Sequence, residues 1–112
     1  MAYHVVWSET ARADLDEIEA YLAARSSPVD ARRVIERIWQ TPHKYTDFPF
    51  SARMIPEFQD RTRRETLVYE YRLMYRVEDD RIRILRVVHG RRLLKNVPGS
   101  FEEASQETYS AA

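Results

Sequence analysis

The spacing of hydrophobic residues changes twice along this chain, and the order of those changes restricts its fold more than any other feature. Tyr3, Val5 and Trp7 alternate with His4 and Val6, which predicts a short strand with one buried face. Hydrophobic residues then recur every three or four positions over residues 10–24 and again after Pro28, which predicts two helices. Beyond residue 65 the period of two returns, and the remainder should form strands.

The two predicted helices have clear start signals. Ser8 suits the N-cap of the first, while Ser27 and Pro28 suit the cap and first position of the second. The break at residues 25–27 is so short that the helices must run antiparallel as a hairpin. The second helix has one broad hydrophobic stripe that another layer must cover: Ala31, Val34, Ile35, Ile38 and Trp39.

Local breaks divide the rest of the chain. Pro42 should end or kink the second helix, although residues 41–47 could add a further turn, and residues 48–59 should form a loop that could include a short edge strand. Residues 65–77 exceed an ordinary strand of about 5–6 residues, so a turn is expected near Tyr69–Glu70. Asp79–Asp80 should form a hairpin turn before a last strand at residues 81–89.

The predicted fold is therefore α+β: an N-terminal strand, then an antiparallel helical hairpin packed on a mostly antiparallel sheet of three to four further strands. Residues 1–95 should form the domain, and residues 96–112 an acidic tail. Ser100 and Glu103 have the spacing of a capping box, which favours a short helix through Tyr109, with disorder as the alternative.

Composition excludes several classes of function. The chain has 112 residues, no cysteine and only two glycines, which removes thiolate chemistry and glycine-rich phosphate loops. His4, His43 and His89 lack metal-ligand spacing, so neither a metal nor a cofactor is expected. No segment is hydrophobic enough for a signal peptide or a membrane span, so we expect a cytoplasmic protein without membrane contact.

The formal net charge is zero, but the charges are unevenly distributed. Residues 61–95 contain 11 basic and 5 acidic residues, and the basic ones are mostly arginines. Two interpretations remain open: a solvated sheet face with cross-strand charge pairs, or a surface for an anionic partner.

One group of residues could perform chemistry without a metal or a covalent nucleophile. Glu57, Arg72 and His89, with Arg53 and Arg76 nearby, offer a base, an acid and cations for cleaving RNA through its 2′-hydroxyl. The alternative is structural: Glu57 and Arg72 would form an ion pair between loop and sheet, and His89 would be a hydrogen-bonded residue at a strand end.

Several stretches, in order, resemble the RelE/ParE superfamily of type II toxin–antitoxin toxins. The matching pieces are V-x-W-S-E-x-A-x-x-D-L at residues 5–15, F-P-x-x-x-R-x-I-P-E at 48–57, Y-R-L-M-Y-R-V at 71–77 and D-R-I-R-I-L-R-V-V-H-G-R-R at 80–92. The resemblance implies a toxin that forms a hetero-oligomer with a cognate, ParD-like or other DNA-binding antitoxin. Its antitoxin-binding residues would be Leu22, Trp39, Tyr71 and Tyr75.

The resemblance implies two alternative targets. RelE-like relatives cut mRNA on the ribosome, and the matching residues would be Glu57, Arg72 and His89; ParE-like relatives inhibit DNA gyrase. Gly90 and then Arg91–Arg92 follow His89 where the ribonuclease branch has an aromatic, and the chain has only two lysines, so the ParE-like branch is favoured. Target contacts would then come from arginines: Arg53, Arg72, Arg76, Arg91 and Arg92. A third interpretation is an inactive antitoxin-binding module.

Overall fold

A computed structural model describes residues 2–90 and the backbone of residues 108–110. Within these residues the fold consists of two α-helices and one six-stranded sheet, joined in part by 3₁₀ turns. The strands are β1 (His4–Ser8), β2 (Arg53–Met54), β3 (Arg63–Val68), β4 (Tyr71–Glu78), β5 (Arg81–His89) and β6 (Thr108–Ser110), and the helices are α1 (Glu9–Arg25) and α2 (Pro28–Gln40). The sheet order is β2-β3-β4-β5-β1-β6; β1 is parallel to β5 and the other pairs are antiparallel. The predicted α+β fold class is confirmed.

The helical hairpin forms where the capping residues predicted it. The Ser8 hydroxyl accepts a hydrogen bond from the Ala11 amide at 3.0 Å, and the Ser27 hydroxyl accepts one from the Asp30 amide at 3.0 Å. Each serine thereby satisfies an amide that the first helical turn leaves without a partner. The first helix begins directly after Ser8 and the second directly after Ser27. Because α1 ends at Arg25, only two residues separate α1 from α2.

The hydrophobic core lies between the helices and one face of the sheet, which we call the inner face. Trp7 is fully buried there, and its ring stacks on Trp39 of α2 with the centroids 4.7 Å apart. The opposite, outer face has a smaller core, in which Ile55 and Phe58 of the loop after β2 cover Met74 and Val88. Both sides of the central strands are therefore covered, although by very different amounts of chain.

Most of the predicted breaks are confirmed. A 3₁₀ turn at Thr41–Tyr45 follows α2, a second one lies at Pro49–Ser51, and the two-residue strand β2 is the expected edge strand. Turns separate β3 from β4 at Tyr69–Glu70 and β4 from β5 at Asp79–Asp80. Tyr69 has a φ of 54°, a left-handed conformation that is uncommon for a residue with a side chain.

The end of the chain corrects one prediction. Thr108–Ser110 is a strand paired antiparallel with β1, so the helix expected to run through Tyr109 does not include these residues. The physical reason is the edge of β1, whose backbone groups would otherwise lack a strand partner on that side. The start of that predicted helix lies outside the described residues. None of the described helices is long and hydrophobic enough to cross a membrane.

Candidate functional site

Arg72 is the centre of the candidate site, and the sheet holds it on the outer face. The ladder pairs it with Leu67 of β3 and Val88 of β5, next to the small outer core. Its side chain is almost completely buried, at 4% exposure. A buried guanidinium requires anionic or carbonyl partners, because removing its charge from water is costly.

Two carboxylates supply those partners. Arg72 donates from Nη1 to Glu57 Oε2 at 2.8 Å and from Nη2 to Glu57 Oε1 at 2.6 Å, and its Nε donates to Glu65 Oε1 at 2.7 Å. Glu65, 1% exposed, also accepts from Arg53 Nε at 2.7 Å. We call Arg53, Glu57, Glu65 and Arg72 the Arg72 network; it contains two positive and two negative charges.

The network restricts the chemistry of its members. Hydrogen bonding to Glu57, and then to Glu65, raises the pKa of Arg72, so its guanidinium stays charged. Both carboxylate oxygens of Glu57 accept from that guanidinium, and taking a proton from a substrate would break charge-assisted hydrogen bonds. The geometry therefore matches the structural alternative for Glu57 and Arg72, an ion pair between loop and sheet.

His89 contacts two residues outside this network. The ladder pairs His89 with Tyr71 and Arg72 with Val88, and neighbouring residues of a strand project from opposite faces. The His89 ring packs edge-on against Tyr71 with the centroids 5.9 Å apart, and its Nε2 lies 3.2 Å from Glu70 Oε2. Arg72 and His89 nevertheless line one cleft, whereas Glu57 is not among the residues that line it.

A cleft of about 420 Å³ lies at the end of the sheet where the two faces meet. Its lining consists of Arg53, Leu67, Tyr69, Glu70, Arg72, His89 and Gly90. The Gly90 amide donates to the Glu70 carbonyl at 2.6 Å, and a Cβ on Gly90 would lie 3.0 Å from that oxygen, so a side chain there would force a shift. The cleft could hold a small anionic or aromatic group, but both of its arginines already donate to Glu65.

The residues predicted to bind antitoxin divide into two pairs. Leu22 and Trp39 are half-buried on the helices and keep surface for a partner. Tyr75 is fully buried and its hydroxyl donates to the Pro49 carbonyl, while Tyr71 is nearly buried beneath His89. Burial raises the pKa of Tyr75, which stays neutral. The two tyrosines are core residues, because the inner face that they occupy is covered by the helices, and they have almost no surface to offer a partner.

The other predicted target-binding arginines have varied positions. Arg53 is exposed at the edge of the sheet, whereas Arg76 is half-buried, with Nη2 4.0 Å from Asp60. Thr62, through its hydroxyl and then its amide, donates hydrogen bonds that lower the pKa of Asp60 and keep it charged. Arg91 and Arg92 lie outside the described residues. Much of the described arginine-rich segment thus forms ion pairs with carboxylates, but several of its arginines are buried, so the face is not the solvated one of the first charge interpretation.

One buried ion pair was missed by sequence reasoning. Arg86 donates to Asp14 of α1 through Nε at 2.8 Å and Nη2 at 3.0 Å, and the Val87 amide donates to the same carboxylate at 2.9 Å. Asp14 was not among the residues expected to form an ion pair. A signal was present, because Asp14 lies between Ala11 and Leu15 on the hydrophobic stripe that faces the sheet.

Among the described residues, no group of three or more His, Cys, Asp or Glu side chains could hold a metal ion. The described site therefore consists of buried ion pairs and a small cleft beside them. It can hold neighbouring elements together and present charge at its rim.

Comparisons with known proteins agree with this fold. Residues 5–94 match the family model described as the ParE toxin of the parDE type II toxin–antitoxin system. A chain from the chromosomal ParDE system of P. aeruginosa superimposes with a TM-score of 0.68 at 20% identity, covering 79% of this chain and 96% of that one. A chain from the RelBE2 toxin–antitoxin complex of Mycobacterium tuberculosis gives 0.52 at 23% identity, covering 80% and 99%.

At these identities the structural likeness shows the fold alone, and no curated protein sequence matches. The family model, however, spans most of the chain, from β1 to five residues beyond the end of β5. The chain therefore belongs to the ParE toxin family of type II toxin–antitoxin systems.

Proposed function

We propose that this toxin inhibits DNA gyrase by binding it and that a cognate antitoxin neutralises the toxin. The observation that carries the proposal is the closed Arg72 network, in which both carboxylate oxygens of Glu57 accept from Arg72 and Glu57 does not line the cleft. A binding protein needs no free base, so a fully paired guanidinium fits that function. Because gyrase acts on chromosomal DNA, the proposal also places the toxin in the cytoplasm.

The alternative, a ribosome-dependent endoribonuclease, makes a stricter demand on geometry. RNA cleavage through the 2′-hydroxyl needs a base, an acid and a cation around one phosphate. Here Arg72 and His89 line one cleft, but both carboxylate oxygens of Glu57 accept from Arg72, and Glu57 is not among the lining residues. Glu57 would have to be released from Arg72 before it could act as the base, so this alternative is less favoured.

The antitoxin part of the proposal rests on surface hydrophobicity. The helical hairpin leaves Tyr21 and Val29 exposed and Leu22 and Trp39 half-buried. An amphipathic helix of the antitoxin would lay its hydrophobic side chains against this surface. The ParDE and RelBE2 structures to which this fold is similar come from toxin–antitoxin systems, which supports a partner of this kind.

Supercoiling by purified gyrase tests the proposal. The wild-type toxin should inhibit supercoiling or accumulate cleaved DNA, and Glu57→Gln and His89→Ala should inhibit similarly after correction for stability. Arg91→Ala with Arg92→Ala, proposed target contacts, should weaken inhibition. A general acid or base contributes about 10²- to 10⁴-fold to a reaction. Loss of that size in ribosome-bound mRNA cleavage with His89→Ala, together with no effect of the wild type on gyrase, would contradict the proposal.

A further inference from the structure

A second surface lies at the β2 edge of the sheet, beside the Arg53 end of the Arg72 network. We call it the Phe50 corner; it consists of Phe48, Phe50, Met54, Arg61 and Arg64. Phe48 is 74% exposed and Met54 41% exposed, and Phe50 is also exposed. Met54 pairs with Arg64 across the β2–β3 ladder, and Phe48 immediately precedes the 3₁₀ turn that contains Phe50.

The two arginines of this corner are arranged around one ring. The guanidinium carbons of Arg61 and Arg64 lie 5.1 and 5.2 Å from the centroid of Phe50. Arg64 also donates to the carbonyls of Phe50 at 3.2 Å and Ala52 at 3.1 Å. Its Nε donates to the Arg61 carbonyl at 2.8 Å. Arg64 therefore holds the turn to β3, whereas the Arg61 side chain is exposed and lies against the ring.

The charge of this corner differs from that of the rest of the sheet. Arg63, Arg72, Arg76, Arg81, Arg83 and Arg86 each lie within 4.0 Å of a carboxylate oxygen. Arg61 and Arg64 have no carboxylate at that distance within residues 2–90. The positive charge of the described sheet segment is therefore least compensated here, beside exposed hydrophobic side chains.

We propose that the Phe50 corner binds an acidic segment of the toxin's protein target. Carboxylates of that segment would meet Arg61 and Arg64 in charge-assisted hydrogen bonds, and one of its hydrophobic side chains would cover Phe48 and Met54. The inference rests on the proposed function, because it names the place where the target is held.

The composition of the corner favours a protein over a nucleic acid. Phenylalanine, methionine and arginine are the residues enriched in protein–protein interfaces. Proteins that bind single-stranded nucleic acid stack bases on free aromatic faces, whereas two guanidiniums already lie over the Phe50 ring. Specific recognition of an acidic peptide uses the same two features, fixed arginine forks and a hydrophobic anchor beside them.

Growth arrest after induction of the full chain tests the inference without assuming which protein is the target. Arg61→Glu and Phe48→Ser change exposed side chains for which the structure gives no side-chain hydrogen bond. Each should raise the toxin level needed for half-maximal arrest by about tenfold or more. Arg61→Lys keeps the charge and should retain most of the activity. Arg32→Glu makes the same charge change on exposed α2 and should match the wild type.

Thermal melting of each purified variant checks folding, and affinity for purified gyrase is measured in parallel. Arrest unchanged by both corner variants would overturn the inference, as would a wild-type chain that causes no arrest. Arrest lost equally in Arg32→Glu would overturn it too, because the effect would then follow net charge. If the corner variants no longer arrest growth while the wild type does not bind gyrase, the inference about the Phe50 corner is supported and the gyrase proposal is contradicted. If the wild type binds a DNA duplex, Arg61→Glu abolishes that binding and no protein target is found, the choice of an acidic protein segment would be contradicted.

Discussion

Replacing Glu65 should destabilise this protein far more than replacing Glu57, although both carboxylates bind Arg72. Glu65 is 1% exposed, so water cannot take the place of its carboxylate. Glu65→Gln therefore leaves the buried Arg72 guanidinium with only one of its two carboxylate partners. Removing one partner of a buried ion pair costs about 3–5 kcal/mol. The Glu57 side chain is 27% exposed, and Arg72 would keep Glu65, so Glu57→Gln should cost only about 1 kcal/mol.

Urea unfolding followed by circular dichroism measures the difference. With a slope of about 1–3 kcal/mol per molar urea, Glu65→Gln should lower the midpoint by about 1–5 M and Glu57→Gln by about 1 M or less. Arg53→Met is the matched control, because the Arg53 side chain is 61% exposed and contacts the same carboxylate. Its effect should be below about 1 kcal/mol. Equal costs for Glu57→Gln and Glu65→Gln would refute the argument from burial.

Three further changes probe other contacts. Asp14→Ala should cost about 3–5 kcal/mol in urea unfolding, since it leaves the buried Arg86 guanidinium and a β5 amide without their carboxylate; a loss below 1 kcal/mol would contradict this. Tyr75→Phe should cost about 1–2 kcal/mol, because a buried backbone carbonyl loses its donor; unchanged thermal unfolding would count against that hydrogen bond. Asp60 has a folded-state pKa below its ordinary 3.8, so it stabilises the fold above that pH and loses the effect as pH falls through the folded pKa. Asp60→Asn should therefore be less stable than the wild type at neutral pH and should lose less stability on acidification. Acid unfolding curves that run parallel for the variant and the wild type would contradict this.

The order of helices and strands could be predicted because its signals are local. A few positions of sequence are enough to recognise a serine cap directly before a helix. The same holds for the break between β3 and β4. The same reasoning failed at Thr108–Ser110, where a strand forms beside β1. A local capping pattern upstream could not show that a distant sheet edge would take up these residues.

The site was only partly predictable, because its contacts join residues far apart in the chain. The pairing of Glu57 with Arg72 was foreseen as one alternative, but Glu65 was not identified as the second carboxylate. The Asp14–Arg86 pair spans 72 positions, and no spacing rule connects them. Tyr75 was predicted to be a contact for a partner. Periodicity alone cannot show that helices and a loop cover both faces of its strand.

The order of events after induction in growing cells tests the central claim most directly. The chain is expressed without antitoxin, and a DNA-damage reporter and the integrity of several mRNAs are followed over the same minutes. We predict that the damage response begins while the messages are intact, and that His89→Ala behaves like the wild type. Messages that are cut before any damage response, with cutting abolished by His89→Ala, would contradict the account and identify the toxin as a ribonuclease.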